Sequence, residues 1–173
     1  MKTRNLAVAA VVGAAYASLT MFLGPAAYLP VQLRLSEALC VLPFFMPCTA
    51  WGLFVGCAMA NVISVAGWYD VVFGSLATLL AGLCTARIGE FARKSGKSVL
   101  PSLLACGMPV LFNGPIIGAV LAYALMPDTF LTGFALFCAQ IMVEEAAVMY
   151  LVGLPLMYAL SHVRFVKQFA LEL

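Results

Sequence analysis

Glu144 and Glu145, adjacent carboxylates inside an apolar stretch, are the residues of this sequence best placed to do chemistry. Gln140 precedes Glu144 by one helical turn and so shares its face. Asn113 belongs to Asn113-Gly114-Pro115, where the proline interrupts the local hydrogen-bond ladder and exposes backbone carbonyls. Asn113 and Glu144 stand about equally far from the turn at Pro127-Asp128, roughly 20 Å at 1.5 Å per residue, so they can meet. Carboxylates accept N–H bonds, and amides both accept and donate, which suits a small ligand with adjacent donors. The bland alternative is a buried hydrogen bond that only locks two helices. Successive helical side chains point about 100° apart, so one glutamate faces the ligand and the other a neighbouring helix. The face shared with Gln140 favours Glu144.

Other chemistries lack their parts. The cysteines (40, 48, 57, 84, 106 and 138) form no C-x-x-C pair and lie in or beside apolar runs, as small packing residues do. His162 is the single histidine, so no metal site is expected and no cofactor is implied. Phe91 to Ser98 resembles the end of a phosphate-binding loop, but Phe91 stands where the first glycine is required. The chain therefore carries no ATPase of its own. An acid–base enzyme built on the two glutamates would lack a nucleophile, metal set or phosphate cradle, so no catalytic residue is expected.

The elements that hold these groups are membrane helices. Of 173 residues, 65% are hydrophobic and only 9% charged, too apolar for a soluble domain to cover its surface. Residues 1–173 read as one all-α domain of about six spans, each needing roughly 20 apolar residues. The basic start followed by Ala15-Tyr16-Ala17 resembles a signal peptide, yet the apolar run continues to Leu23 and reads as the first helix. That span covers about Asn5 to Leu23, stops at Gly24-Pro25, and leads into an amphipathic connection, Ala26 to Ser36. The second starts near Glu37 and is interrupted by Pro43 and Pro47. The third covers Thr49 to Val65, the fourth Val71 to Ile88, the fifth Val99 to Met126 and the sixth Thr129 to Leu160. A polar loop is expected from Gly89 to Ser98. Of the nine lysines and arginines, all but Arg34 fall on the side shared by the termini and this loop. The positive-inside rule makes that side cytoplasmic.

Secondary polar groups surround the main set. Asn61, in the outer half of the third span, extends the polar cavity. Arg34 and Glu37 either join it or act as interfacial anchors, and Glu37 suits a helix N-terminus. Trp68, Tyr69, Tyr28 and Tyr123 sit where interfacial aromatics are expected and offer flat faces for stacking. In the first span, Ala9, Ala10, Gly13, Ala14 and Ala17 recur at four-residue spacing, a pattern that lets helix backbones approach closely. It serves either packing inside the bundle or docking of a membrane partner.

Three segments carry a resemblance to a known family. Gln32-Leu-Arg34-Leu-Ser36-Glu37-Ala-Leu39, Trp51-Gly-Leu-Phe-Val-Gly56-Cys-Ala-Met-Ala-Asn61 and Asp70-Val-Val-Phe-Gly74-Ser75-Leu-Ala-Thr78 resemble the QueT family. These are substrate-binding S-components of energy-coupling-factor (ECF) transporters. The resemblance implies a six-helix S-component in the cell membrane that binds a queuosine precursor, a 7-deazaguanine base, queuine or a relative. It implies a membrane coupling protein of the EcfT type and two cytoplasmic ATPases as partners, and no nucleic acid. Ala10, Gly13 and Ala14 would dock on the coupling protein, and the connection over 24–36 would close the site. Ligand contacts would come from Glu144 or Glu145, Asn113, Gln140, Asn61, Arg34, Glu37, Asp70 and Trp68. An S-component for another vitamin, and a structural subunit that does not transport, are the alternatives.

Overall fold

The computed structural model describes residues 3–22, 34–64, 66–96 and 99–171. Tyr28, Gln32 and the 24–33 part of the connection therefore lie outside the described residues. Those described are helical, with no strand among them. In chain order come α1 (Thr3–Phe22), a 3₁₀ helix (Leu35–Phe44) and α2 (Thr49–Asn61). Then follow α3 (Ser75–Ser95), α4 (Val99–Leu125), α5 (Phe130–Val148), α6 (Leu154–Leu160) and α7 (Arg164–Leu171). A π-helical turn, Asp70–Gly74, leads into α3, and another, Met149–Gly153, joins α5 to α6. Four helices are long and apolar enough to cross a membrane: Thr3–Phe22, Asp70–Ser95, Val99–Leu125 and Pro127–Leu160.

The second and third expected spans are shorter than that. Proline at 43 ends the first of them, since its ring cannot continue an α-helical ladder. The Leu35–Phe44 segment winds instead as a 3₁₀ helix, which rises about 2.0 Å per residue rather than 1.5 Å, so ten residues reach about 20 Å. α2 is 13 residues long, not the length expected to Val65. It stops at Asn61 because the Asn61 side chain donates to the Asp70 carbonyl (3.0 Å) and Gly67, at φ 60°, turns the chain back. These two short arms are joined through residues 45–48.

Backbones approach closely where glycine permits. A Cβ on Gly52 would sit on the Ala9 carbonyl, and one on Gly56 on the Gly13 carbonyl, so α1 and α2 run parallel in direct backbone contact. Gly89 meets the Phe44 carbonyl in the same way and locks α3 to the end of the 3₁₀ helix. This contact corrects the expected loop at 89–98. Helix α3 continues through Ser95, supported by Lys94 Nζ to Glu90 Oε1 (2.8 Å), and ends on Gly96 at φ 64°. The sixth expected span holds from Pro127 to Leu160, but Pro155 has no N–H to donate, and the helix widens into its π turn just before it.

The two ends of the bundle differ in chemistry. At one end, the Arg4 guanidinium lies 4.6 Å from the Phe169 ring centre and Arg93 donates to the Phe44 carbonyl (2.9 Å). Helix α7 packs there by Phe169 against Leu42 and Met46. At the other end, Trp68 stacks on Tyr69 (4.4 Å), which meets Tyr123 edge-on (5.5 Å).

Candidate functional site

Between these ends, buried polar residues form two layers. The layer nearer the aromatic end is built where the 3₁₀ helix, α2 and the π turn before α3 converge. Arg34 Nη2 lies 3.2 Å from Asp70 Oδ2, with both side chains almost fully buried. Ser64 Oγ donates to the same carboxylate oxygen at 2.6 Å. Thr20 of α1 donates to Ser36 at 2.7 Å. Arg34 is thus a buried clasp and not an interfacial anchor, because Asp70 offers it a partner that water would otherwise supply.

The deeper layer crosses the middle of the helices. Tyr16 of α1 donates to Glu37 Oε1, and Cys40 to Glu37 Oε2 at 3.1 Å. Thr78 of α3 reaches the Cys57 sulfur at 3.4 Å. On the far wall, Asn113 Nδ2 donates to Glu145 Oε1 at 3.2 Å. Asn113 lies about 18 Å along α4 from its aromatic end at Leu125, close to the depth expected from the sequence.

The two glutamates face different ways. Glu145 is buried at 8% exposure and bonded to Asn113. Glu144 is half-buried on the opposite face, where Gln140 Nε2 donates to it at 3.1 Å. Gln140 and Glu144 therefore pair as their spacing predicts, but they line an outer groove with Leu131, Leu136 and Val143. The group meeting Asn113 is Glu145. Trp68 is 63% exposed, above the clasp and stacked on Tyr69.

Three buried oxygens complete the description. Asn61 Oδ1, Asp70 Oδ1 and Asn113 Oδ1 have no hydrogen-bond partner among the described residues. A buried acceptor left unmade costs about 1–3 kcal/mol, so a donor brought to any of these positions would count for more than one at the surface. Asn113 is constrained further. One of its two amide N–H groups goes to Glu145, and its Oδ1 is left over as an acceptor.

These groups sit within the region that a family model described as QueT transporter matches, residues 6–162. The chain belongs to the QueT transporter family. A protein named queuosine precursor transporter QueT, from Lactococcus lactis subsp. cremoris, is 38% identical over 81 residues, 46% of this chain. The match spans about half of that relative, 47% of its length. No solved structure matches. Family membership and several apolar spans agree with a multi-pass membrane protein.

Tyr16, Cys40 and Ser64 are the site residues that sequence reasoning misses. Tyr16 sits in a small-residue helix and reads as packing. A signal does exist: Tyr16 and Thr20 are one turn apart, and an apolar helix seldom carries two hydroxyls on one buried face without a polar partner. Gly13 lies in the seam between α1 and α2, while Ala10 and Ala14 point outward. The small residues thus divide between packing within the bundle and an outer face.

Proposed function

We propose that this chain is the substrate-binding S-component of an ECF-type transporter and captures a queuosine precursor for ATP-driven uptake. The observation that carries the reading is the buried Asn113–Glu145 pair with its leftover acceptor. A guanine-like edge presents two adjacent N–H donors, which a carboxylate accepts together. Glu145 takes that edge, with Asn113 Oδ1 accepting beside it. Glu37 is a second buried carboxylate, and a precursor with a protonated alkylamine would place its charge there. The Arg34 charge is already matched by Asp70, so the interior retains an excess of acceptors.

The bundle has six membrane segments in this reading, the 3₁₀ helix and α2 being the short second and third. Arg4, Arg87, Arg93, Lys94 and Arg164 lie toward one end, and the buried Arg34 is excused from the count, so both termini face the cytoplasm. The ligand enters from the opposite, aromatic end. An EcfT-type coupling protein docks on α1, where Ala10 and Ala14 border a groove of about 600 Å³ with Trp51, Val55 and Met59. Two cytoplasmic ATPases supply the energy.

Titration calorimetry on the purified chain tests the reading, with deazaguanines, riboflavin, thiamine and folate compared side by side. Tight binding of a deazaguanine alone is expected, with an aminoalkyl form ahead of a neutral one. Tight binding of another vitamin, or of nothing, overturns it. The docking face has its own test. Ala14→Trp is expected to leave ligand binding within about twofold and to abolish uptake in cells carrying the partner proteins, because bulk blocks close helix approach. Normal uptake by this variant excludes that face.

A further inference from the structure

A second site lies at the basic end, outside the polar interior. The start of α2 and the end of α3 enclose a pocket of about 660 Å³ walled by Pro47, Cys48, Trp51 and Ala86. Arg87, Arg93 and Lys94 line it, against the single carboxylate of Glu90. Glu90 contacts Lys94 at 2.8 Å and Arg87 at 3.9 Å, which holds both cations at the rim while leaving an excess of positive charge. The Arg87 and Lys94 side chains are 86% and 74% exposed. Arg93 is tied to the Phe44 carbonyl and fixes the pocket floor to the end of the 3₁₀ helix.

Depth and surroundings identify the occupant. Arg87 lies about 25 Å along the helix from Asp70, near the inner edge of a hydrocarbon core about 30 Å thick. Leu76, Leu80 and Leu83 are exposed along the same helical face leading away from Arg87 toward the bilayer centre. Trp51, 51% exposed, stands beside them at the level where indole rings favour the headgroup region. A cationic pocket that opens onto an apolar ridge matches a molecule with an anionic head and acyl chains. A soluble anion would gain nothing from the ridge, and an acidic protein segment would leave it uncovered.

We propose that this pocket binds the phosphate headgroup of an anionic phospholipid, with Arg87 and Lys94 contacting the phosphate and an acyl chain lying along Leu83 and Leu80. Basic pockets between membrane helices on the cytoplasmic side are suited to such headgroups. The site is separate from the Glu145 interior and does not depend on which ligand that interior takes.

Native mass spectrometry of the full chain in neutral detergent tests the assignment, using phosphatidylglycerol and phosphatidylcholine of equal chain length. Phosphatidylglycerol is expected to be retained about tenfold better, each basic side chain contributing a factor of about five near the surface at most. Arg87→Gln with Lys94→Gln should abolish the preference without lowering the thermal midpoint. Arg164→Gln, an exposed cation at the same end but outside the pocket, should leave it intact. Equal retention of the two lipids overturns the proposal, as does a preference that survives the double substitution or disappears with Arg164→Gln. Displacement of the lipid by an equal concentration of glycerol phosphate would show a soluble-anion site and also overturn it.

Discussion

Glu145→Gln is expected to weaken deazaguanine binding roughly ten- to a hundredfold, while Glu144→Gln stays within about twofold of wild type. The asymmetry follows from where each side chain lies. Glu145 is buried and its Oε1 accepts from Asn113 at 3.2 Å, which leaves Oε2 and the second lone pair of Oε1 for the ligand's two donors. Glutamine in its place has a single acceptor oxygen. If that oxygen keeps the Asn113 bond, the new amide N–H₂ confronts the ligand's own donors. If it turns to the ligand, Asn113 Nδ2 and the new amide nitrogen face one another. Either arrangement loses a charge-assisted hydrogen bond worth about 1.5–3 kcal/mol in a buried setting. Glu144 bonds Gln140 on the opposite face, and an amide at that position preserves the partner. Asn113→Ala should cost less than Glu145→Gln, about one neutral hydrogen bond, since the leftover acceptor is lost and the carboxylate remains. Calorimetry on the purified variants decides between the two glutamates. Wild-type affinity for Glu145→Gln would remove Glu145 from the site and leave the Asn113 bond as a helix lock, whereas equal loss in both would overturn the asymmetry.

The interior was partly legible from sequence, and the boundary is physical. Hydrophobic run length reveals the long helices, because the membrane demands it. Asn113 and a glutamate could be placed at one depth because rise per residue is constant and both are measured from the same turn. The choice between Glu144 and Glu145 required rotation about the helix axis, and the spacing to Gln140 constrained only one of the two faces. Gln140 and Glu144 do bond one another, so the local inference holds; nothing local indicated which face α4 would cover. The polar end of the 3₁₀ helix was harder to read. Arg34 and Glu37 carry charges at a helix start, which is also what an interfacial residue looks like, and their partners Asp70 and Tyr16 are distant in sequence. Short spans hide for a related reason. A 3₁₀ helix covers more length per residue, so Leu35–Phe44 falls below any threshold set for α-helices while still reaching deep into the bundle.

The clasp yields the other large effect. Arg34→Ala should lower the thermal midpoint in detergent by on the order of 10 °C, because it leaves the buried Asp70 carboxylate without its cation. Removing either partner of a buried pair strands the other charge, at a cost of about 3–5 kcal/mol. Water offers Asp70 little relief, since the Arg34 and Asp70 side chains are 4% and 1% exposed; among the described residues Ser64 also donates to the contacting Asp70 oxygen. Replacing both residues at once has a different consequence. Arg34→Met with Asp70→Leu strands no charge and keeps most of the volume, so most of the lost stability should return. Binding should not return with it. The Arg34 position begins the 3₁₀ helix that carries Glu37 to Tyr16, and the Asp70 oxygen without a partner disappears in the double variant. A clasp that only pins helices predicts a double variant that is stable and binds normally. A clasp that also shapes the interior predicts one that is stable and binds weakly. Thermal unfolding and calorimetry on the same preparations separate the two, and single variants that unfold at the wild-type temperature would show that the Arg34–Asp70 pair contributes to neither.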